Sequence, residues 1–184
     1  MSLRYSIRRF KELASTSTSL QAFAKRGAKE GLVITSDYQT HGRGKPGRKW
    51  ISPAGTNLLF SILLRPPLRP SQAPLLTQIA CRSVAAVLDK KYGIESRFKR
   101  PNDILVRQRK ICGILVEAST RAGGKLDYVI IGIGLNVNAD PEQLVADSTS
   151  MRAVKGKKFS RDTILKEILS ELRRDLHKIY ASAS

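Results

Sequence analysis

The chain has 184 residues, 33 lysines and arginines against 15 aspartates and glutamates, and a formal net charge of +18. Its length fits one domain able to bury a core, and its charge favours anionic partners: nucleotides, nucleic acid, an anionic membrane surface or an acidic protein. Two histidines and two widely separated cysteines exclude a His/Cys metal cluster, and no apolar run approaches the ~18 residues of a membrane span.

Residues 3–13 are basic, with Tyr5, Ile7 and Phe10 spaced for a first strand; an Arg-rich transit peptide is the weaker reading. Ser15 to Ser19 can cap a helix whose apolar face, Leu20, Phe23 and Ala24, stops near Gly27. LVITSDYQ (32–39) reads as a strand running into HGRGKPGRKW (41–50), and NLLFSILL (57–64) as a buried central strand ended by prolines. Over residues 71–91, Leu75, Leu76, Ile79, Ala80, Val84, Val87 and Leu88 recur at helical spacing, with Gly93 as the stop.

Strand-like segments follow at 96–99, 104–106, 111–117 and 128–137, separated by turns at 107–109 and 121–124. A last amphipathic helix over 160–180 carries Ile164, Leu165, Ile168, Leu169, Leu172, Leu176 and Ile179 on one face. Cys81 and Cys112 sit in apolar runs and read as buried, reduced thiols of a cytoplasmic protein. Consecutive strands through 96–137 favour an α+β fold, one domain over residues 1–184, with a mixed, mostly antiparallel central sheet flanked by helices.

The stretch 41–50 matches G-x-G-x-x-G and nearly matches a P-loop. Both need a helix to begin in the glycine loop, so that its N–H groups meet the phosphates. Here Pro46 and Ser52-Pro53 leave too few residues for one, and no hydroxyl stands where a P-loop would ligate Mg²⁺. What remains is a glycine-rich loop with cations at Arg43, Lys45, Arg48 and Lys49 and the single tryptophan, Trp50. It suits either a phosphate clamp or a nucleic-acid loop with Trp50 stacked on a base.

Three further stretches, KRPND (99–103), RKICGILVE (109–117) and GIGLNVN (132–138), follow YQTHGRGKPGRKW in an order and spacing that resemble the catalytic domain of biotin–protein ligases. The resemblance spans about residues 10–180. It implies an enzyme that joins the carboxylate of biotin to the α-phosphate of ATP, with Mg²⁺, and passes biotin from biotinyl-5′-AMP to a lysine of a biotin carboxyl carrier protein domain. No enzyme nucleophile is required, only fixed cations that cancel anion–anion repulsion.

It further implies that Ser15, Thr16 and Ser17 hydrogen-bond the biotin ring system, and that Gln39, Gly42 and Arg43 shape the biotin pocket. Lys45 and Arg48 face the phosphates, Trp50 supports the loop, and Gly113 admits the ligand close to its strand. Asn102, Asp103 and Asn136 stand at the nucleotide, Asp103 also positioning Mg²⁺. Lys110, between carboxylate and α-phosphate, is the leading catalytic candidate, with Arg43 second.

Departures from the family pattern are Arg100 for tryptophan, Ser17 for asparagine and Lys45 for arginine; Pro46 stiffens the loop. A two-residue shift would put Ser17, Thr18 and Ser19 at the ring position instead. The resemblance further implies a minimal ligase or a piece of a longer one, with no DNA-binding segment or specific DNA, no C-terminal β-barrel and no membrane. It leaves monomer and homodimer open. The rival readings are a lipoate ligase or lipoyl/octanoyl transferase of the same fold, a basic nucleic-acid-binding module, and a non-catalytic paralogue.

Overall fold

A computed structural model describes residues 3–45 and 47–181. The expectation for Pro46 therefore lies outside the described residues. The elements run β1 (Ser6–Leu13), α1 (Thr16–Lys25), β2 (Leu32–Gln39), β3 (Leu58–Leu64), α2 (Ala73–Tyr92), β4 (Arg97–Lys99), β5 (Asp103–Val106), β6 (Arg109–Thr120), β7 (Leu126–Leu135), α3 (Met151–Lys155) and α4 (Arg161–Ala181). Single 3₁₀ turns at Pro70–Gln72 and Pro141–Gln143 and the five-residue α3 have too little periodicity to be read from sequence.

The seven strands form one sheet in the order β1-β2-β3-β7-β6-β5-β4. β1 and β2 run parallel, joined by the α1 crossover, and every other neighbouring pair is antiparallel. The expected α+β class with a mixed, mostly antiparallel sheet therefore holds. After the glycine-rich loop the chain enters β3 with no helix between, which is why neither nucleotide fingerprint fits.

Period-two alternation sends the strands' side chains to two different layers. Phe60, Ile62 and Leu64 of β3 and Val129, Ile131 and Ile133 of β7 face α2 and α4, forming the larger core. All seven apolar residues expected on the last helix are buried there. On α2, Leu75 departs from the expected face, 41% exposed.

Among these apolar contacts α4 buries one carboxylate, Asp175, which accepts a hydrogen bond from Ser83 Oγ at 3.0 Å and pairs with Arg82 at 3.6 Å. Cys81 and Cys112 are free and buried, as expected. The opposite face packs Leu63 of β3 and Ile130 of β7 against Leu20 and Ala24 of α1. α1 covers only one end of that face. The exposed remainder, floored by the glycines of β6 and β7, carries the site.

β5 turns into β6 through Arg107 (φ 47°) and Gln108 (φ 66°), two consecutive left-handed residues. Such a pair matches the twist of a tight hairpin. The turn matters because it starts β6 at Arg109, one residue before Lys110.

Candidate active site

A cavity of about 100 Å³ opens on the glycine face of the sheet. Its floor is unusual for a strand interior. Gly134 and Gly132 of β7 lie two residues apart and so on one face, and Gly113 of β6 is paired with Gly134. A Cβ at Gly134 would fall 2.5 Å from Trp50 Cε2, and one at Gly113 would fall 2.8 Å from Trp50 Cζ3. Glycine there is what lets the indole lie flat against the backbone.

One wall is the start of α1. Ser15 is the N-cap, its Oγ accepting from the N–H of Thr18 at 3.5 Å. Ser15, Thr16 and Ser17 are buried and line the cavity, whereas Thr18 is exposed and points away. The structure therefore places Ser15-Thr16-Ser17 on the cavity, not the register shifted by two. Gln39, at the end of β2, closes this wall: its Oε1 accepts from the Thr16 N–H at 2.7 Å.

The roof is the glycine-rich loop, folded back as a small hairpin. Trp50 N–H donates to the Gly42 carbonyl at 2.9 Å, and Gly44 N–H donates to that of Arg48 at 3.1 Å. Gly47, at φ 78°, makes the reversal. Gly42 does not line the cavity; it lets the hairpin close, since a Cβ there would stand 2.3 Å from the Trp50 carbonyl oxygen. Arg43, Lys45, Arg48, Lys49 and Trp50 all line the cavity.

The far wall comes from β5 and β6. Lys110 Nζ pairs with Asp103 Oδ1 at 2.7 Å and stands 5.4 Å from the centre of the Trp50 ring. Its backbone is fixed from both sides. Lys110 N–H donates to the Asp147 carbonyl, and the Thr149 N–H donates to the Lys110 carbonyl, each at 2.8 Å. Asn102, also on the cavity, is tied down by donating from Nδ2 to the Ile114 carbonyl at 2.7 Å.

Besides Gly42, Asn136 is an expected site residue that the structure does not bring to the cavity. It is buried, its Oδ1 accepting from Asn57 Nδ2 at 3.2 Å and its Nδ2 donating to the Thr149 carbonyl at 3.0 Å. It thus supports the segment that supports Lys110. Arg100, which replaces the family's tryptophan, is exposed in the β4–β5 turn and off the cavity.

Charge is distributed unevenly. Arg43 Nη2 binds Glu117 Oε1 at 2.5 Å, and Lys110 is held by Asp103. Among the described residues Lys45, Arg48 and Lys49 enter no salt bridge, so three cations at one rim are free to meet an anion. Beneath the floor, burial first and the Asp103 charge second push the Cys81 thiol up to about 12. Burial raises that of Cys112 as well. Both are inert as nucleophiles.

The residues do not build a protein-held Mg²⁺ site. Among the described residues no three His, Cys, Asp or Glu side chains converge. The carboxylate lining this cavity, Asp103, is already neutralised by Lys110.

Sequence reasoning missed Ser61, Glu117, Gly132, Gly134 and the bracing role of Asn57. The two β7 glycines did carry a signal, since glycines two apart in an otherwise apolar strand open one face of a sheet.

A family model described as the biotin/lipoate A/B protein ligase family matches residues 10–136. The chain belongs to that family. The bifunctional ligase/repressor BirA of Bacillus subtilis is 35% identical over 161 residues, covering 85% of this chain and 49% of that relative. The biotin–[acetyl-CoA-carboxylase] ligase of Mycobacterium tuberculosis is 33% identical over 166 residues, covering 88% and 60%. The chain thus spans about half to three fifths of these curated relatives. The structure of the biotin protein ligase from Aquifex aeolicus in complex with biotin and ATP matches with a TM-score of 0.79 at 30% identity, covering 96% of this chain and 72% of that one.

Proposed function

We propose that this member of the biotin/lipoate ligase family activates biotin with ATP to biotinyl-5′-AMP and transfers biotin to a lysine of a carboxyl carrier domain. One observation carries the reading: a single cavity joins a wall of hydroxyl and amide groups to a rim of three unpaired cations, with Lys110 in the same space. The first wall suits a polar, uncharged ring system, and the second suits a polyphosphate. The family relatives named for biotin support the same substrate.

In the first step a carboxylate oxygen of biotin bonds to the α-phosphorus of ATP, and the bond from that phosphorus to the β-bridging oxygen breaks. Pyrophosphate leaves. Two anions must meet, and Lys110 together with Arg43 offsets their repulsion, while Lys45 and Arg48 hold the phosphate tail. In the second step a neutral lysine amine of the acceptor attacks the anhydride carbonyl, and AMP leaves.

Ser15, Thr16, Ser17 and Gln39 take the ring system, and Gly113 allows close approach to β6. Asn102 and Asp103 border the nucleotide, with Asn136 acting one layer behind. Magnesium would accompany ATP as the counter-ion of its phosphates, held by them and not by a protein cage. The +18 charge draws in an acidic carrier domain by electrostatic steering.

Ligand pockets for molecules of this size are typically about 300–1,000 Å³, so the cavity, at about 100 Å³, must widen to take both substrates. The loop lifts to admit substrates and settles over the adenylate. Trp50 Nε1 is buried with no hydrogen-bond partner among the described residues, so an acceptor oxygen on the ligand would satisfy it.

Incubation with biotin, Mg²⁺ and α-labelled ATP tests the reading. Labelled biotinyl-AMP and pyrophosphate are expected. No adenylate at saturating biotin refutes it, and faster turnover of lipoate than of biotin replaces it with the lipoate reading.

A further inference from the structure

Behind the hydroxyl wall lies Ser61, in the middle of β3 and completely buried. It belongs to none of the four sequence stretches that mark the family and does not line the cavity. Its Oγ is 2.8 Å from Thr16 Oγ1 and 3.0 Å from Ser17 Oγ, so it bridges two wall residues. Gly132 leaves room for this cluster: a Cβ there would press 2.7 Å from Ser17 Oγ.

Counting protons fixes the direction of every bond in the chain. A hydroxyl has one proton and a carboxamide oxygen has none. Gln39 Oε1 already accepts the Thr16 N–H, which identifies that atom as the oxygen, and it also lies 3.1 Å from Thr16 Oγ1. The Thr16 hydroxyl proton must therefore point to Gln39. Thr16 then has no proton for Ser61, so Ser61 donates to Thr16. Ser61 in turn has none left for Ser17, so Ser17 donates to Ser61.

The relay runs Ser17 to Ser61 to Thr16 to Gln39, and it withdraws the protons of both wall hydroxyls from the cavity. Ser17 and Thr16 then offer lone pairs to a ligand. Ser15, whose Oγ accepts from the Thr18 N–H, keeps its own proton. The wall reads as one donor beside two acceptors, the complement of a cyclic urea with one carbonyl and two N–H groups.

We propose that Ser61 is a positioning residue that sets headgroup specificity: it takes the Ser17 proton and so holds Ser17 as an acceptor beside Thr16, whose proton Gln39 takes, so that the site selects a carboxylic acid whose headgroup carries N–H donors. The proposal rests on the biotin reading above, in which the headgroup is a urea. Without Ser61 the Ser17 hydroxyl loses its acceptor and presents a donor as readily as lone pairs, while the Thr16 proton stays on Gln39.

The test measures biotin affinity, the KM for ATP and thermal stability for the wild type, Ser61→Ala, Ser17→Ala and the double variant. Ser61→Ala should weaken biotin about tenfold, the usual scale for one misdirected buried hydrogen bond. The KM for ATP should stay within error, the melting temperature should fall by only a few degrees, as loss of a buried hydroxyl entails, and activation of lipoate, which has no N–H in its headgroup, should not fall. The double variant should be no weaker than the worse single one, because the two residues act in one chain. Unchanged biotin affinity, additive losses, or biotin and ATP weakening together with stability would overturn the relay. If Ser61→Ala does not fold, Ser17→Ala still puts the relay at risk, since unchanged biotin affinity there removes Ser17 as an acceptor and overturns it. A wild type that binds no biotin overturns the functional reading as well as the relay, whereas normal biotin binding with an indifferent Ser61 overturns only the relay.

Discussion

Gly134→Ala probes how the roof sits on the floor. The new methyl carbon would lie 2.5, 2.7 and 2.9 Å from Trp50 Cε2, Cζ2 and Cδ2. Ordinary carbon contacts are about 3.5–4.0 Å, so the indole must rise by roughly 1.0–1.5 Å (3.5 − 2.5 to 4.0 − 2.5). The floor cannot sink instead, because Gly134 is paired to Leu59 on one side and Gly113 on the other. Overpacking a rigid core costs about 1–3 kcal/mol, but here the loop gives way. The expected stability loss is therefore under about 1 kcal/mol, a melting shift of no more than about 2–4 °C. Trp50 is the single tryptophan of the chain, so the fluorescence reports on the surroundings of this indole and no other. Emission should shift to the red, acrylamide quenching should rise, and biotinyl-AMP should leak from the variant faster than from the wild type. A variant with unchanged emission and quenching, yet several kcal/mol less stable, would show that the strand yields and not the loop.

Lys110→Ala should lower pyrophosphate release by about 10²–10³-fold, the scale for losing one preorganised charge stabiliser. Adding Asp103→Asn should restore stability but not turnover; a double variant with near-normal turnover would remove Lys110 from the chemistry. Glu117→Gln frees Arg43 and should raise the KM for biotin severalfold with little change in single-turnover adenylation; an unaltered KM would mean the pair is incidental. For pH, burial and then Asp103 hold the Cys81 thiol near 12 against an ordinary 9, and burial raises Cys112 too. The folded chain thus keeps protons that the unfolded chain releases, so stability is intact below about pH 8.5 and falls as pH climbs from there toward 12. Melting curves should show the decline, with a shallower slope in Cys81→Ala; a slope identical to the wild type would refute the assignment.

The sheet was legible because its strands differ so clearly in pattern. NLLFSILL has no polar alternation and became the central β3, while the basic residues 6–13 became the edge strand β1. The helical seam Ile164 to Ile179 needed no tertiary information, since every apolar residue in it faces one core. Leu75 broke ranks because helical spacing alone does not say how wide a face the sheet will cover. Ser61 was illegible for a different reason. Among the apolar residues of a buried strand, one serine looks like a tolerated polar residue, and only the arrival of α1 from another part of the chain gives it two partners. Asn136 was misplaced by the opposite error: it stands in a functional stretch, and the chain folded it inward to brace Asn57 and Thr149.

The pairing of Lys110 with Asp103 in a chain of +18 charge looks wasteful until the lysine's freedom is counted. An unrestrained lysine carries about 2 kcal/mol of rotamer entropy, which would be lost again at each encounter with substrate. Asp103 holds the side chain extended along the wall, while Asp147 and Thr149 fix its backbone, so that loss is met on folding. Lys45, Arg48 and Lys49, on the glycine-rich hairpin, have no such partner among the described residues, which leaves their charge for a polyphosphate under the proposed function. Among the cations of this cavity, the one on the sheet is paired and those on the loop, Arg43 apart, are not. Arg43 is the exception that joins the two: it stands on the loop yet bonds to Glu117 of β6, so Glu117→Gln is the change that releases the loop from the sheet at this point.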